Sequence, residues 1–339
     1  MSSQISGQPA TAAEYLPLSF GFALHQIGAA VSSLGVLDAL ADGPRTAAQL
    51  VEVTDAHAGS LRRLLYAATK AKLLTVDSEG YHLAPLSAFF GPLSDYHAAP
   101  EIWAAWGAFE ESIRTGVDAF QIANGAPLFD YIKTNPKLAA TFHAAMSAGS
   151  DAQVPAIVEH FDFSRFKTIV DCGGGKGTHL TAILAANPHL QGTIFDTANG
   201  VVEAAAVIED AGVGDRCEVV VGSFFDSVPE GADLYVLKNI LHDWNDEESV
   251  QILSNIRKAM APGGRVVVLS SVLSEGEDED PGDALGGAIS DIEMLVMTTG
   301  LERSQSEYAQ LFTDAGLKLS TATALPCPWL YYALEATAS

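Results

Sequence analysis

A glycine-rich run in the second half of the chain constrains the fold more than any other feature of the sequence. Gly173, Gly174, Gly175 and Gly177 follow directly after the apolar segment 168–172, and a helix-forming segment comes next. Glycines at such a point let the backbone turn sharply and let a ligand lie against it without a Cβ in the way. The run therefore predicts a ligand site where a strand of a parallel sheet meets the following helix.

The chain from Phe166 onward alternates strand-like and helix-like segments, which predicts an α/β fold with a doubly wound, mostly parallel sheet. The strand-like segments are continuous β-branched or apolar runs, as expected for strands that helices cover on both faces. The helix 247–260 has one apolar face, and a second helix is predicted near 304–315. The predicted strands are 168–172, 193–196, 218–222, 234–237, 265–270, 318–324 and 330–335.

Residues 14 to about 150 are predicted to be mostly helical, with breaks at 42–44 and 90–92. Helices over 47–53, capped by Thr46, and 58–72 precede a hairpin over 73–76 and 81–83, which is the order of a winged helix. The segment 16–37 is predicted to be a buried helix, too apolar to face water alone, and to form the interface of an intertwined homodimer. The predicted domains are 1–150 and 151–339.

Charge narrows the possible partners. The chain has 18 Lys and Arg against 42 Asp and Glu, a net charge of −24, which disfavours nucleic acid and anionic membrane surfaces. A DNA-binding regulator built on the winged helix is therefore disfavoured against a dimerisation and substrate-lid module. The N-terminus lacks the pattern of a secretory signal, and the apolar runs are not those of a membrane-spanning helix. We expect a cytoplasmic protein without disulfides or a metal site, because its three cysteines are widely spaced.

The residues around the glycine run indicate the kind of ligand. The acidic Asp171 precedes the run, which suits an uncharged or cationic ligand better than a pyrophosphate. Asp196 ends the next predicted strand, where its carboxylate could accept hydrogen bonds from both hydroxyls of a ribose. Ser223 and Phe224 end the third strand, where an adenine could be hydrogen-bonded and stacked.

Three segments carry a family resemblance, namely 170–177 (VDCGGGKG), 237–246 (LKNILHDWND) and 300–304 (GLERS). With them the chain resembles the S-adenosylmethionine-dependent small-molecule O-methyltransferases of the caffeic-acid type. The resemblance extends over nearly the whole chain. It implies a Rossmann-like methyltransferase sheet, a mostly helical winged-helix N-terminal dimerisation domain, a homodimer and a small-molecule acceptor. It also implies S-adenosylmethionine as cofactor, S-adenosylhomocysteine as its product, and no metal.

The resemblance also implies roles for single residues at the cofactor. Gly173 and Gly175 would border its methionine end, and Asp196 would hold its ribose. The family usually has an Asp where Ser223 stands, so the resemblance implies a different bond to the adenine here. The cofactor residues implied are Gly173, Gly175, Asp196, Ser223, Phe224, Lys238 and Ser150, with a plain surface serine as the alternative for Ser150.

His242 is the predicted general base. A neutral imidazole suits the removal of a hydroxyl proton near pH 7, and His242 follows the fourth strand at the ligand edge of the sheet. The resemblance implies that Glu302 orients the imidazole, and that a second acid should stand at position 270. The sequence has Ser270 there, whose hydroxyl can hold a ring nitrogen but cannot stabilise an imidazolium by charge. Proximity of acceptor and methyl group would then supply a larger share of the rate.

The predicted acceptor pocket is formed by Met146, Asp243, Trp244, Trp103 and Trp106. Trp103, Trp106 and Phe109 recur at spacings of three and are predicted to share one helical face, with packing in the core as the alternative. The predicted reaction is methyl transfer to a phenolic or enolic hydroxyl of a specialised metabolite. Because Ser270 replaces an acid, a diverged relative remains an alternative, with the same cofactor but pericyclic, hydroxylation, C-methylation or N-methylation chemistry.

Overall fold

The computed structural model describes residues 11–276, 280–327 and 331–339. The chain divides into two compact units. Unit 1 comprises the residues up to Trp103 together with Asn135–Ala148, and unit 2 comprises Ala104–Thr134 and Gly149–Ser339. Unit 2 therefore includes residues 104–134, which lie before the domain boundary predicted at residue 150.

Residues 11–160 are mostly helical, as predicted from residue 14 onward, and this described range contains one small hairpin. A 3₁₀ helix, Pro85–Phe89, follows the hairpin. The helices and strands, in chain order, are α1 (Ala12–Ser33), α2 (Val36–Ala41), α3 (Ala47–Thr54), α4 (Ala58–Lys70), β1 (Leu74–Val76), β2 (Tyr81–Leu83), α5 (Pro92–His97), α6 (Pro100–Gly107), α7 (Phe109–Thr115), α8 (Ala119–Asn124), α9 (Leu128–Thr134) and α10 (Pro136–His160).

The predicted order of helix, helix and hairpin is present in unit 1 as α3, α4 and the antiparallel pair β1–β2. Helix α3 begins where it was predicted to begin, because Thr46 and Gln49 form a capping box. The backbone N–H of Thr46 donates to Gln49 Oε1 at 2.8 Å, and Thr46 Oγ1 accepts from the backbone N–H of Gln49 at 3.3 Å. The two bonds satisfy donors that a helix start otherwise leaves open.

The prediction of one continuous helix over 16–37 is wrong, and within a single chain the segment is only partly buried. Helix α1 ends at Ser33 and α2 begins at Val36, because Gly35 between them has φ 75° and breaks the helix. Several large apolar side chains of α1 are exposed rather than buried, with Leu18 at 87% and Phe22 at 57%. The residues of α1 that do enter the core of unit 1, such as Val31, lie toward its C-terminal end.

The last 180 residues form a sheet with helices between its strands. The elements, in chain order, are β3 (Thr168–Cys172), α11 (Thr178–Ala186), β4 (Gln191–Asp196), α12 (Ala204–Asp210), β5 (Cys217–Val221), β6 (Leu234–Lys238), α13 (Asp246–Ala259), β7 (Arg265–Leu273), α14 (Pro281–Met297), β8 (Arg303–Ser304), α15 (Gln305–Asp314), β9 (Leu317–Ala324) and β10 (Tyr331–Ala338). Each predicted strand corresponds to one of these, although the first residue of the predicted strand 330–335 lies outside the described residues.

The strand order is β5-β4-β3-β6-β7-β10-β9, with the short β8 beside β7. Strands β3 to β7 are parallel to one another, and β10 is antiparallel to both β7 and β9. The order reverses between β3 and β6, so the crevice at their carboxyl ends is the expected ligand site of such a sheet. The predicted α/β fold class with a helical N-terminal region is confirmed.

Burial explains why the central strands could be recognised from their composition. In β6, the residues Leu234 to Leu237 are all buried, and in β7 the run from Val266 to Ser270 is buried. The edge strand β5 is more exposed, since only β4 pairs with it. Within the described ranges of the chain, no helix has the length and apolar character needed to cross a membrane.

Candidate active site

The glycine loop leaves β3 at the carboxyl edge of the sheet. Gly173, Gly175 and Gly177 have φ angles of 77°, 55° and 86°, the left-handed region that residues with a Cβ rarely adopt. A Cβ on Gly173 would overlap the side chain of Ile240, which follows β6. At Gly175, no atom of a described residue lies within 4 Å of the position a Cβ would take, so this face of the loop is open to a ligand.

Asp196, at the end of β4, faces this loop. Its Oδ2 accepts from the backbone N–H of Gly175 at 2.8 Å, and its Oδ1 accepts from the backbone N–H of Thr197 at 2.6 Å. Oδ1 also accepts from the Thr197 hydroxyl at 3.1 Å, so one lone pair of Oδ2 remains open, and a second ribose hydroxyl would take the place of the Thr197 hydroxyl. The arrangement fits the predicted role of Asp196, which stays a prediction.

Ser223 and Phe224 follow β5 on the same edge. Ser223 Oγ accepts from the backbone N–H of Phe225 at 3.3 Å, which holds the turn. The Phe224 ring meets the ring of Trp244 edge to face, with centroids 6.1 Å apart, and it would lie 3.7 Å from a Cβ on Gly173. Phe224 therefore presents an aromatic surface beside the glycine loop, where an adenine could stack.

Lys238 and Ser150, which the resemblance implied as cofactor residues, lie next to each other. Lys238 Nζ donates to Ser150 Oγ at 3.0 Å, from the end of β6 to the C-terminal half of α10. Burial lowers the pKa of Lys238 to about 8, although the charges of Asp171 and Asp151 oppose that change. Ser150 is therefore not a plain surface serine, since its hydroxyl is engaged by a buried cation.

These residues fit S-adenosylmethionine. The open glycine face, the carboxylate of Asp196 and the Phe224 ring lie at the ends of β3, β4 and β5, where such a sheet binds a nucleoside. Lys238 adds a donor at the end of β6. Within the described part of the chain, no group of His, Cys, Asp or Glu residues could hold a metal ion.

His242 lies in a 3₁₀ helix, Leu241–Asp243, that follows β6. Its Nδ1 is 2.9 Å from Glu302 Oε1. Because that oxygen can only accept, Nδ1 carries the hydrogen and Nε2 is the nitrogen that can take a proton. The carboxylate oxygen Oδ1 of Asp243 lies 3.8 Å from Nε2.

Burial and the neighbouring charges have opposite effects on the pKa of His242. Burial alone lowers the pKa of His242, but the charges of Glu302 and Asp243 and the hydrogen bond to Glu302 outweigh it and raise the pKa to about 9. Burial raises the pKa of Asp243 to about 6, against the opposing charge of His242. For Glu302 the His242 charge and hydrogen bond prevail over burial and lower the pKa. At pH 7 the ring is therefore the imidazolium, with both Nδ1 and Nε2 protonated.

Two residues that the sequence analysis did not consider hold Glu302. Ser290 Oγ on α14 donates to Glu302 Oε1 at 2.7 Å, the same oxygen that faces His242. Asp291 Oδ1 accepts from the backbone N–H of Glu302 at 3.0 Å. Glu302 is thus fixed at its side chain and its backbone, while its other oxygen, Oε2, is buried without a partner among the described residues.

Ser270 does not hold the imidazole, contrary to the expectation that its hydroxyl could do so. Its side chain is fully buried on β7, and its Oγ has no hydrogen-bond partner among the described residues. The Tyr308 hydroxyl interacts with Ser270 and, like it, completes no hydrogen bond of good geometry within that part of the chain. Among the residues that the structure describes, Glu302 is the one that orients the ring through Nδ1.

The turn that carries His242 is fixed by Arg303. This side chain is 1% exposed and donates to the carbonyl oxygens of Leu241 at 2.9 Å and Trp244 at 2.8 Å. It also contacts Asp246 Oδ1 at 2.8 Å. The sequence contained a signal for this, since Arg303 is part of the motif that supplies Glu302, but the motif alone does not say which carbonyl oxygens it reaches.

The predicted acceptor residues fall into both units. Trp244 and Asp243 lie beside His242 in unit 2, and the Trp244 ring packs on Phe129 with centroids 5.5 Å apart. Trp106 also belongs to unit 2, whereas Trp103 and Met146 belong to unit 1. Their place in one pocket stays a prediction.

The prediction that Trp103, Trp106 and Phe109 share one helical face is wrong. Helix α6 ends at Gly107, and α7 begins at Phe109, so a break separates the third ring from the first two. Trp106 and Phe109 remain in contact, with ring centroids 5.8 Å apart, while Trp103 contacts Phe22 at 6.4 Å.

Two family models match the chain. The first, an O-methyltransferase domain, matches residues 106–318, and the second, an O-methyltransferase dimerisation domain, matches residues 16–91. A mitomycin biosynthesis 6-O-methyltransferase of Streptomyces lavendulae is 37% identical over 306 residues, which cover 87% of this chain and 85% of that protein. An aclacinomycin 10-hydroxylase of Streptomyces purpurascens is 32% identical over 325 residues, which cover 91% of this chain and 85% of that protein.

A solved structure of another protein matches almost the whole chain. An O-methyltransferase from neocarzinostatin biosynthesis, in complex with S-adenosylmethionine and 2-hydroxy-5-methyl naphthoic acid, superposes with a TM-score of 0.76 at 31% identity. The match covers 94% of this chain and 96% of that one. The geometry of the glycine loop and the matching domain models agree, so the chain belongs to the S-adenosylmethionine-dependent small-molecule O-methyltransferases that carry an N-terminal dimerisation domain.

Proposed function

We propose that the enzyme transfers the methyl group of S-adenosylmethionine to a phenolic or enolic hydroxyl of a small specialised metabolite, with His242 as the proton acceptor. The observation that carries the proposal is the 2.9 Å contact between His242 Nδ1 and Glu302 Oε1. It turns Nε2 away from the carboxylate that orients the ring, at the ligand edge of the sheet. The relatives that methylate hydroxyl groups of natural products support the same assignment.

The cofactor supplies an electrophilic methyl group on a sulfonium. The task of the chain is then to hold the acceptor oxygen in line with that group and to take its proton. A phenol has a pKa of about 10, as tyrosine does. The pKa of His242 is about 9, so moving the proton from the phenol to His242 is unfavourable by only about one pKa unit, a factor of about ten.

Glu302 stabilises the imidazolium that forms when His242 takes the proton. Its charge and hydrogen bond already raise the pKa of His242, and the same interactions strengthen the base. Ser290 and Asp291 keep the carboxylate in place. Because the Ser270 hydroxyl makes no hydrogen bond to the ring, His242 and Glu302 act without the second acid that the family resemblance implied, and proximity carries a correspondingly larger share of the rate.

We further propose that Asp243 and Trp244 border the acceptor. Asp243 Oδ1 lies 3.8 Å from His242 Nε2, close enough to meet a polar group next to the reacting hydroxyl. Trp244 offers an aromatic wall that packs on Phe225 as well as on Phe129. An aromatic acceptor suits such a wall. Trp106, in the same unit, is proposed to border the acceptor as well, and Trp103 and Met146 stay predicted acceptor residues.

The second candidate is the same fold and cofactor used for other chemistry. Ser270 favours it, because a buried hydroxyl stands where the family resemblance implies an acid, and a 10-hydroxylase is among the relatives. In that case His242 would still be protonated at neutral pH, but the methyl group would stay on the cofactor or be transferred to carbon or nitrogen rather than to oxygen.

The test is transfer of label from S-adenosylmethionine with a ¹³C-methyl group to a panel of phenols and enols, followed by mass spectrometry. We expect labelled methyl ethers and S-adenosylhomocysteine, and a fall in kcat of roughly 10²–10⁴ in His242→Ala. His160→Ala is the matched control, because His160 is exposed and bonds only to its own helix. Conversion of an acceptor while the cofactor stays unconsumed would favour the second candidate instead.

A further inference from the structure

The turn after β6 contains a residue in an unusual backbone conformation. Asn239 has φ 52°, in the left-handed region. Among the described residues, Asp55 and Lys72 are the other non-glycine residues with positive φ, and both follow the ends of helices, where this conformation is common. Asn239 instead lies between β6 and the 3₁₀ helix that carries His242, so a different cause must fix it.

Hydrogen bonds from three directions hold Asn239. Its Nδ2 donates to Gln153 Oε1 at 3.1 Å, and its Oδ1 accepts from the Tyr331 hydroxyl at 2.8 Å. Its backbone N–H donates to the carbonyl oxygen of Leu269 at 2.9 Å. The Tyr331 ring is 1% exposed, and its hydroxyl also lies 3.0 Å from the Leu269 carbonyl oxygen. The side chain is therefore anchored to α10 on one side and to the sheet on the other.

The residues next to Asn239 in the chain lie in the candidate site. Lys238 precedes it and reaches Ser150, while Ile240 follows it and packs where a Cβ on Gly173 would be. Ser150 and Gln153 are three residues apart on α10, so they lie on one face of that helix and meet two consecutive residues of the turn. His242 comes three residues after Asn239.

We propose that Asn239 is a positioning residue for methyl transfer. Its left-handed backbone, fixed by Tyr331 and Gln153, sets Lys238 at the cofactor and His242 at the acceptor from the two ends of one turn. The inference rests on the proposed roles of those two residues. The described side-chain hydrogen bonds of Asn239 go to Gln153 and Tyr331 and not to the ring of His242.

Asn239→Gly separates the contribution of the backbone conformation from that of the side-chain hydrogen bonds. Glycine adopts the left-handed region freely but makes neither of the two side-chain bonds. Tyr331→Phe removes one anchor and leaves the backbone preference of Asn239 intact. Tyr235→Phe is the matched control. Its hydroxyl is equally buried and bridges the carbonyl oxygens of Pro229 and Ala259, at the other end of β6.

Two measurements need no acceptor. Calorimetry gives the affinity for S-adenosylhomocysteine, and NMR titration of the imidazole gives the pKa of His242. In Asn239→Gly and Tyr331→Phe we expect about fivefold weaker affinity, the scale of one lost hydrogen bond. We also expect the pKa of His242 to fall by roughly half a unit or more as its contact with Glu302 loosens. Tyr235→Phe should lower the unfolding temperature as much and leave both values unchanged.

Two further variants sharpen the test. The double variant Asn239→Gly/Tyr331→Phe should lose no more than Asn239→Gly alone, because both changes remove the same bond. Asn239→Asp tolerates the left-handed region and keeps the Oδ1 acceptor, so it should recover most of both values. Wild-type affinity and wild-type His242 titration in Asn239→Gly would overturn the proposal, even if Tyr331→Phe failed to fold. A wild type that methylates nothing would contradict the proposed function, while the affinity series would still decide on Asn239.

Discussion

At the scale of single residues, the charge around His242 matters more than its burial. A buried imidazole surrounded by apolar groups would have a lowered pKa, but Glu302 and Asp243 reverse that direction and raise it to about 9. The same carboxylate that orients the ring therefore also makes it a stronger base. The consequence is that activity should depend on pH well above neutrality.

Asp196 gives the sharpest prediction for the cofactor. Because its carboxylate should accept from the ribose hydroxyls, Asp196→Ala should weaken the binding of S-adenosylmethionine by about 2 kcal/mol or more, the scale of hydrogen bonds to a charged group. Isothermal titration calorimetry measures this directly. Asp215→Ala, whose carboxylate is 80% exposed and distant in the sequence, controls for the lost charge. Equal affinities in Asp196→Ala and wild type would show that the ribose lies elsewhere.

At the scale of elements, the site depends on loops that pass very close to one another. Gly300 lies against the backbone of the His242 turn, and a Cβ there would overlap the His242 carbonyl oxygen. Arg303, three residues on, donates to two carbonyl oxygens of the same turn. The position of Glu302 relative to His242 is thus set by the backbone on both sides of it.

Gly300→Ala should therefore move Glu302 away from His242. We expect a loss of about 1–3 kcal/mol in the free energy of unfolding, the cost of overpacking a tight contact, measured by denaturant titration. The pKa of His242 should fall at the same time, since the carboxylate withdraws. Gly107→Ala is the control, because nothing described lies within 4 Å of its added Cβ. An unchanged stability in Gly300→Ala would mean that the two loops are not in close contact.

The sequence predicted the strands well because they are buried runs whose composition is diagnostic on its own. It predicted His242 and Glu302 because each stands in a specific motif. Ser290 and Asp291 could not be predicted, since they meet Glu302 only after α14 has folded back beside it. The break after Gly107 was also missed, because a regular spacing of aromatic residues predicts one helix even where the chain makes two.

At the scale of the whole molecule, the exposed apolar side chains of α1 indicate a protein–protein interface. Tyr15, Leu18, Phe20, Phe22 and Leu24 are all exposed, within the segment that matches the dimerisation model. A helix of this composition gains most by burial against a second copy. We therefore expect a homodimer whose interface exceeds about 2,000 Å², the range of obligate pairs.

Light scattering coupled to size exclusion tests this at micromolar concentration. The expected mass is twice the 35.6 kDa of one chain. A pair of charges on α1, Leu18→Glu with Phe22→Glu, should shift the protein toward the monomer, whereas Val202→Glu, at an exposed position outside α1, should leave it unchanged. A wild-type monomer would contradict the proposal.

The central claim is that His242, strengthened by Glu302, takes the proton of the acceptor, and the pH dependence of kcat/KM tests it most directly. The reaction needs neutral His242, whose pKa is raised to about 9, so wild-type kcat/KM should rise about tenfold per pH unit from pH ~6 to ~8.5 and level off above it. Glu302→Gln removes the charge that raises this pKa. Its profile should level off at least about one unit lower in pH, at a smaller plateau, because the pKa returns toward about 6.5. Coincident midpoints for Glu302→Gln and wild type, measured with an acceptor from the labelled-methyl assay, would contradict the account.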